Sequence, residues 1–337
     1  MKRSLVLGLI AFLIGSATAA RAQQEILNAS YDISRELFAD VNKAFIPAYK
    51  ASGGGDVVVK QSHAGSSRQA RSILEGLKAD VVTFNQVNDV QLLADYKFVA
   101  KDWASKFPHD SSPFYSVHSI LVRKGNPKGI HDWADLAKPG VTVVQVNPKT
   151  GGNGRYAVLA YQAAGLQANG GDAAKARALT KKILANVVVF ESGGRTATST
   201  FTERELGDVL VTFEAETLAL ANAPGSAFEV VTPSVSVLAE FPVAVVEKVA
   251  KKRGTEALAK AYLDFLYTPQ GQEILARNYY RPRNAEVAAR YAAKLTPVKI
   301  VEVSDTFGGW DKATADFFAN GALVDVLLKE IAAERVN

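Results

Sequence analysis

The fold is decided by "VTVVQVNPKTGGNGRYAVLAY", Val141 to Tyr161. The first six residues are mostly β-branched and read as a buried strand. Tyr156, Leu159 and Ala160 then recur at helical spacing. Between strand and helix sit Gly151, Gly152 and Gly154. These leave backbone N–H groups bare at a helix N-terminus, where an anion can be held.

Three more turns share this chemistry. "NASYDISREL" sets Ser30 and Asp32 before a helix, and "QSHAGSSRQA" sets Gly65, Ser66 and Ser67 before another. "ESGGRTATSTFTER" does the same with Ser192, Gly193, Gly194, Arg195 and Thr196. Small polar residues at helix starts are also ordinary capping chemistry, so one such turn says little. Four of them at the carboxyl ends of strands predict a ligand crevice.

Around these turns, short β-branched runs alternate with amphipathic segments. Strands are predicted at 56–62, 80–84, 118–124, 141–147, 186–192, 208–213, 228–233 and 241–247. The alternation predicts an α/β fold of mostly parallel sheets flanked by helices. The chain of 337 residues exceeds a comfortable single core. The Pro- and Ser-rich "WASKFPHDSSPFYS" (103–116) is the expected crossing to a second domain, and "TPSVSVLAEFP" (232–242) the return. The expected division is a signal peptide at 1–22, lobe one at 23–112 and 242–300, lobe two at 113–241, and a C-terminal extension at 301–337 packing on both.

"MKR", the apolar "SLVLGLIAFLIG" and the small-residue "ARA" ending at Ala22 form a secretory signal. No later apolar run reaches the roughly 18 residues of a membrane span. An exported protein is expected, without a lipid anchor, because there is no Cys. The formal charge of +5 loses Lys2, Arg3 and Arg21 with the signal, leaving +2. No Lys/Arg block marks a nucleic-acid partner. The only Met is Met1, so the exported chain would contain no sulfur. That composition suits a protein made when sulfur is scarce.

The turns offer N–H and hydroxyl donors in quantity, with Arg155 and Arg195 nearby. Sulfate carries no proton at pH 7 and only accepts hydrogen bonds; phosphate rewards a free acceptor. A donor-rich pocket therefore favours a sulfate-type oxyanion. Catalytic sets are lacking. "TGGNGRY" misses the Lys-Ser/Thr end of a phosphate-binding loop, and there is no GxSxG elbow. His109, His118 and His131 have no metal-ligand spacing and read as surface or core residues. A Ser66–His63 hydrolase is the alternative from another class.

The segments "SYDISREL", "QSHAGSSRQA", "ADVVTF", "RKGNPKGIHDW", "NPKTGGNGRY", "SGGRTATSTFTERELGDVLVTFE", "AEFPVAVVEK", "YRPRN" and "FGGW" run in order along nearly the whole chain. In them the sequence resembles the periplasmic sulfate- and thiosulfate-binding proteins that feed ABC importers. The resemblance implies a two-lobed periplasmic-binding fold of type II, closing on an unprotonated oxyanion. It implies a monomer with no metal, cofactor or catalysis, which passes its ligand to a membrane permease and ATPase. Carried over by position, the N–H donors are those of Asp32, Ser66, Gly152, Asn153 and Gly194, with Arg195 beside them. Gly151 stands where the sulfate-type members carry a serine hydroxyl, and Phe213 where they carry a tryptophan N–H, though the Phe is more like the thiosulfate-named members. Both departures bear on which oxyanion is preferred; molybdate and phosphate remain alternatives.

Overall fold

The computed structural model describes residues 23–336. The expected signal peptide at 1–22 lies outside the described residues. The chain opens with β1 (Gln24–Ser30), a 3-10 turn at Asp32–Ser34 and α1 (Arg35–Ala51). Leu37, Phe38, Val41 and Phe45 recur along one face of α1 and are buried, as the helical period requires. Then follow β2 (Val57–His63), α2 (Ser66–Leu74), β3 (Val81–Thr83), α3 (Val87–Asp95) and a single turn, α4 (Pro108–Ser111).

The short strand β4 (Phe114–Ser116) leads into β5 (His118–Arg123), β6 (Val143–Val146), α5 (Gly152–Ala168), α6 (Ala173–Ala185) and β7 (Val187–Glu191). After these come α7 (Gly194–Thr202), β8 (Val209–Phe213), α8 (Glu214–Ala221), β9 (Phe228–Val231), β10 (Val235–Val237), β11 (Ala239–Glu240) and β12 (Val243–Val245).

Two sheets carry the two lobes. One has the order β12-β3-β1-β2, the other β7-β6-β8-β5-β9. In the first, β1 lies parallel to β2 and to β3, and β12 joins antiparallel. In the second, β6 lies parallel to β7 and to β8, while β5 joins β8 and β9 antiparallel. Every residue of β6 and β8 is buried, which is why both read as unbroken apolar runs. The parallel strands of both sheets end where α2, α5 and α7 begin.

Between the sheets, β4 pairs antiparallel with β11, Ala239 facing Ser116, and with Arg281–Pro282. The strand β4 lies within 103–116 and β11 within 232–242, the segments expected to cross between lobes. The helix α5 is buried over most of its surface. It packs so closely on α6 that a Cβ on Gly165 would stand 2.4 Å from Ala176 Cα. The C-terminal residues touch both lobes. Asn88 donates to Thr314 Oγ1, the Trp310 ring meets Tyr156 edge-on, and Glu330 pairs with Lys181 at 3.1 Å. Among the described residues, no helix is long and apolar enough to cross a membrane.

Candidate anion site

Helix starts leave N–H groups that no carbonyl of the same helix can accept. Ser66, Gly152 and Gly194 are the first residues of α2, α5 and α7, Asn153 is the second of α5, and Asp32 opens the 3-10 turn after β1. Among the described residues, none of these five N–H groups reaches a protein acceptor. Their neighbours do. Arg68 and Gln69 donate to Gly65 O, Gly151 to Asn147 O at 3.0 Å, and Arg195 to Asp32 Oδ2 at 3.0 Å.

The turns meet across the two lobes. A Cβ on Gly194 would stand 3.5 Å from Asn153 Nδ2, 3.5 Å from Asp32 Oδ1 and 2.7 Å from Ile33 Cγ2. A Cβ on Gly152 would stand 2.9 Å from Asn85 Oδ1 and 2.9 Å from Gln86 Oε1. Asn85 is tied to the remaining turn: Ser66 Oγ donates to Asn85 Oδ1 at 2.7 Å and accepts from the Asn85 N–H at 2.9 Å. Glycine at 152 and 194 thus allows the opposing lobe to approach the backbone.

The formal charges are spent on one another. Asp32 Oδ1 accepts from the Ile33 N–H next to it, while Oδ2 serves α7 of the other lobe. The Arg195 guanidinium grips both oxygens of Glu36 at 2.7 Å. Arg155 donates Nε–H to Pro148 O at 3.3 Å, and burial lowers its pKa against the pull of Asp89. Burial raises Asp89 to about 6, opposed by Arg155 and by the Ser67 hydroxyl. Burial likewise raises Glu216 to about 7, opposed by its hydrogen bond from Thr198 and by Arg195. The loop itself is moored from below, Lys149 Nζ donating to Phe318 O at 2.8 Å, Ala319 O at 3.1 Å and Asp325 Oδ2 at 3.0 Å. Alongside these charges at the meeting point are the five backbone N–H groups that no protein acceptor takes.

These N–H groups stand in a chain whose relatives are known. The model of the bacterial extracellular solute-binding protein family matches residues 34–281. The chain belongs to that family. It falls among the family's sulfate- and thiosulfate-binding members. The sulfate-binding protein of Escherichia coli (strain K12) is 46% identical over 321 residues, 95% of this chain and 98% of the relative. The thiosulfate-binding protein of the same organism is 49% identical over 330 residues, 97% and 96% of the two chains. Among solved structures, the sulfate-binding protein SubI from Mycobacterium tuberculosis H37Rv superposes with a TM-score of 0.79 at 31% identity. It covers 88% of this chain and 100% of its own. The apo ferric ion-binding protein A of Pasteurella haemolytica, at TM-score 0.61 and 17% identity, covers 90% and 97% and shares the fold.

Beside these turns lies a buried polar and aromatic cluster. Phe213, the last residue of β8, is fully buried, with its ring 4.6 Å from that of His118 and 5.2 Å from that of Phe241. His118 is a core residue with a specific partner. Its Nε2 lies 2.9 Å from Asn153 Oδ1, and Asn153 Nδ2 donates to Thr212 Oγ1 at 2.8 Å. With its amide nitrogen so engaged, Asn153 presents Oδ1 as acceptor, so His118 donates from Nε2. Burial lowers the His118 pKa to about 4, and the ring stays neutral. The hydrolase alternative loses its pair: Ser66 bonds Asn85, while His63 meets Tyr31 O at 3.4 Å and Gln61. Burial, then Arg35, lowers the His63 pKa. Asn85, Gln86 and the His118–Asn153 link have no signal in "FNQVND" or "SVHSI" beyond generic polarity.

Proposed function

We propose that this protein captures sulfate or thiosulfate in the periplasm and delivers it, as a monomer, to the permease and ATPase of an ABC importer. The observation that carries the reading is the set of five unpartnered N–H groups, drawn from both lobes, at Asp32, Ser66, Gly152, Asn153 and Gly194. A hydrogen bond to a charged ligand contributes about 1.5–3 kcal/mol. A micromolar site needs about 8 kcal/mol net, a value that five such bonds reach only toward the upper part of that range once the anion is desolvated and the lobes closed. Neutral donors suit a ligand with no proton to give. The lobes of this reading are 23–112 with 242–300, and 113–241. They hinge at the paired crossing strands β4 and β11, with 301–337 strapped across both.

Competition calorimetry with sulfate, thiosulfate, molybdate and phosphate tests the reading. Sulfate or thiosulfate should bind at micromolar or tighter, and phosphate should fail to displace it. Preference for phosphate or molybdate would reassign the ligand, and no binding of any of the four would end the oxyanion reading.

A further inference from the structure

Gln86 lies between β3 and α3 and is the N-cap of α3, in extended conformation (φ −148°, ψ 121°), with no side-chain bond to that helix. It is fully buried, and neither Nε2 nor Oε1 of its amide has a partner. Three other buried amides use both ends. Asn28 bonds Tyr262 and Thr83, Gln69 bonds Ser30 and Ser62, and Asn153 bonds Thr212 and His118. A buried carboxamide idle at both ends is costly for a fold to keep and calls for an explanation.

Its position supplies one. Gln86 Oε1 and Cβ stand 2.9 Å and 3.1 Å from where a Cβ on Gly152 would be. The amide of one lobe is therefore pressed against the first residue of α5 in the other. There, the N–H groups of Gly152 and Asn153 also lack acceptors. Because nothing holds either end, a half-turn of the carboxamide exchanges N and O without breaking a hydrogen bond.

We propose that Gln86 is a specificity-determining ligand residue, donating Nε2–H to the oxyanion held at the α5 N-terminus. This rests on the oxyanion reading above. A carboxamide adds a directed donor without formal charge, in keeping with a site of neutral dipoles. It also explains why an idle amide persists: it is idle only until the anion arrives.

Calorimetry on Gln86→Leu and Gln86→Glu, with sulfate, thiosulfate and phosphate as probes, tests this alongside ligand-free thermal melts. Gln86→Leu should weaken sulfate roughly 10- to 150-fold, the range of one hydrogen bond to a charged ligand. Its ligand-free melting temperature should hold or rise, since an unpaired buried amide is removed. Gln86→Glu should lose more sulfate affinity and shift the sulfate-to-phosphate ratio toward phosphate, because a carboxylate repels a dianion but accepts a proton from hydrogen phosphate. Wild-type binding with Gln86→Leu within twofold of it would overturn the proposal and leave the oxyanion reading intact. A lowered ligand-free melting temperature in Gln86→Leu, with unchanged anion ratios in Gln86→Glu, would make Gln86 structural and overturn it too. Failure of the wild-type protein to bind any of the three anions would overturn both.

Discussion

Asp32 of one lobe accepts the backbone N–H of Arg195 in the other, at 3.0 Å, so a carboxylate caps a helix across the cleft. A few ångströms away the Arg195 side chain returns the contact to Glu36 with two bonds of 2.7 Å. The two links look alike and differ in worth. The Arg195 and Glu36 side chains are 43% and 64% exposed, which places the ion pair among those contributing about 0–1 kcal/mol. The Asp32 bond is half-buried and joins a full charge to a helix N-terminus. Glu36→Gln should therefore change anion affinity by less than about fivefold. Asp32→Ala should weaken it more than about tenfold. Calorimetry on both decides, and equal effects would mean the capping bond does not hold the lobes closed.

Glycine at 152 and 194 leads to a second expectation. The atoms a methyl would strike belong to the opposite lobe: Asn85 and Gln86 for Gly152, Ile33 for Gly194. Overpacking costs about 1–3 kcal/mol, and here it falls on the closed form alone. Gly152→Ala and Gly194→Ala should each bind sulfate roughly 5- to 150-fold more weakly. Their ligand-free melting temperatures should match wild type, and scattering should show no compaction on adding sulfate. A fall in ligand-free stability would place the clash inside a lobe.

Across pH 5 to 8 stability should fall as pH rises, most of the fall coming below about pH 7. Burial holds Glu216 at about 7 and Asp89 at about 6, both above their unfolded values. The stability such raised acids contribute is full below the unfolded pKa and is lost as pH rises through the folded one. His118, lowered to about 4, acts in the opposite sense: its contribution is present above the unfolded value of 6.5 and lost as pH falls toward 4. Between pH 6.5 and 8 the loss should be on the order of 1 kcal/mol, mostly from Glu216. Urea unfolding across pH 5 to 8 reads this directly. Glu216→Gln should flatten this fall; an unchanged slope would remove Glu216 from the account.

The turns and apolar strands were legible in the sequence because their cause is local. Strands such as Val209–Phe213 are buried on both faces and show it as an unbroken run. Gly193-Gly194 and Gly151-Gly152 mark helix starts by their lack of side chains. The strand β1 was missed, since "QEILNAS" buries Asn28 and Ser30 and so lacks an apolar signature. Those polar groups are satisfied by Thr83, Tyr262 and Ser34, residues distant or bent back in the chain. Gln86 and His118 escaped for the same reason. Their surroundings are set by neighbours in another lobe or strand, which no window of sequence contains.

The oxyanion preference should respond to one cavity-filling hydroxyl. Gly151 has φ −143° and ψ 140°, extended backbone that serine adopts freely. Its obstacle is packing, for a Cβ there would stand 2.8 Å from Val146 Cγ1. A β-branched side chain cannot swing aside, so Gly151→Ser needs Val146→Ala beside it, with Val146→Ala alone as control. Phe213→Trp is the poorer test, because Phe213 is fully buried between His118 and Phe241 and a larger ring would strain both. All four sulfate oxygens accept hydrogen bonds well. Thiosulfate replaces one with a larger, softer sulfur that accepts poorly, so an added hydroxyl rewards sulfate more. The Gly151→Ser/Val146→Ala protein should shift the sulfate-to-thiosulfate affinity ratio toward sulfate by roughly tenfold relative to the control, one charge-assisted hydrogen bond at the low end of its range. The ratio is the quantity to measure, since strain lowers both affinities together. A ratio unmoved in a folded double variant would mean that position 151 does not face the anion.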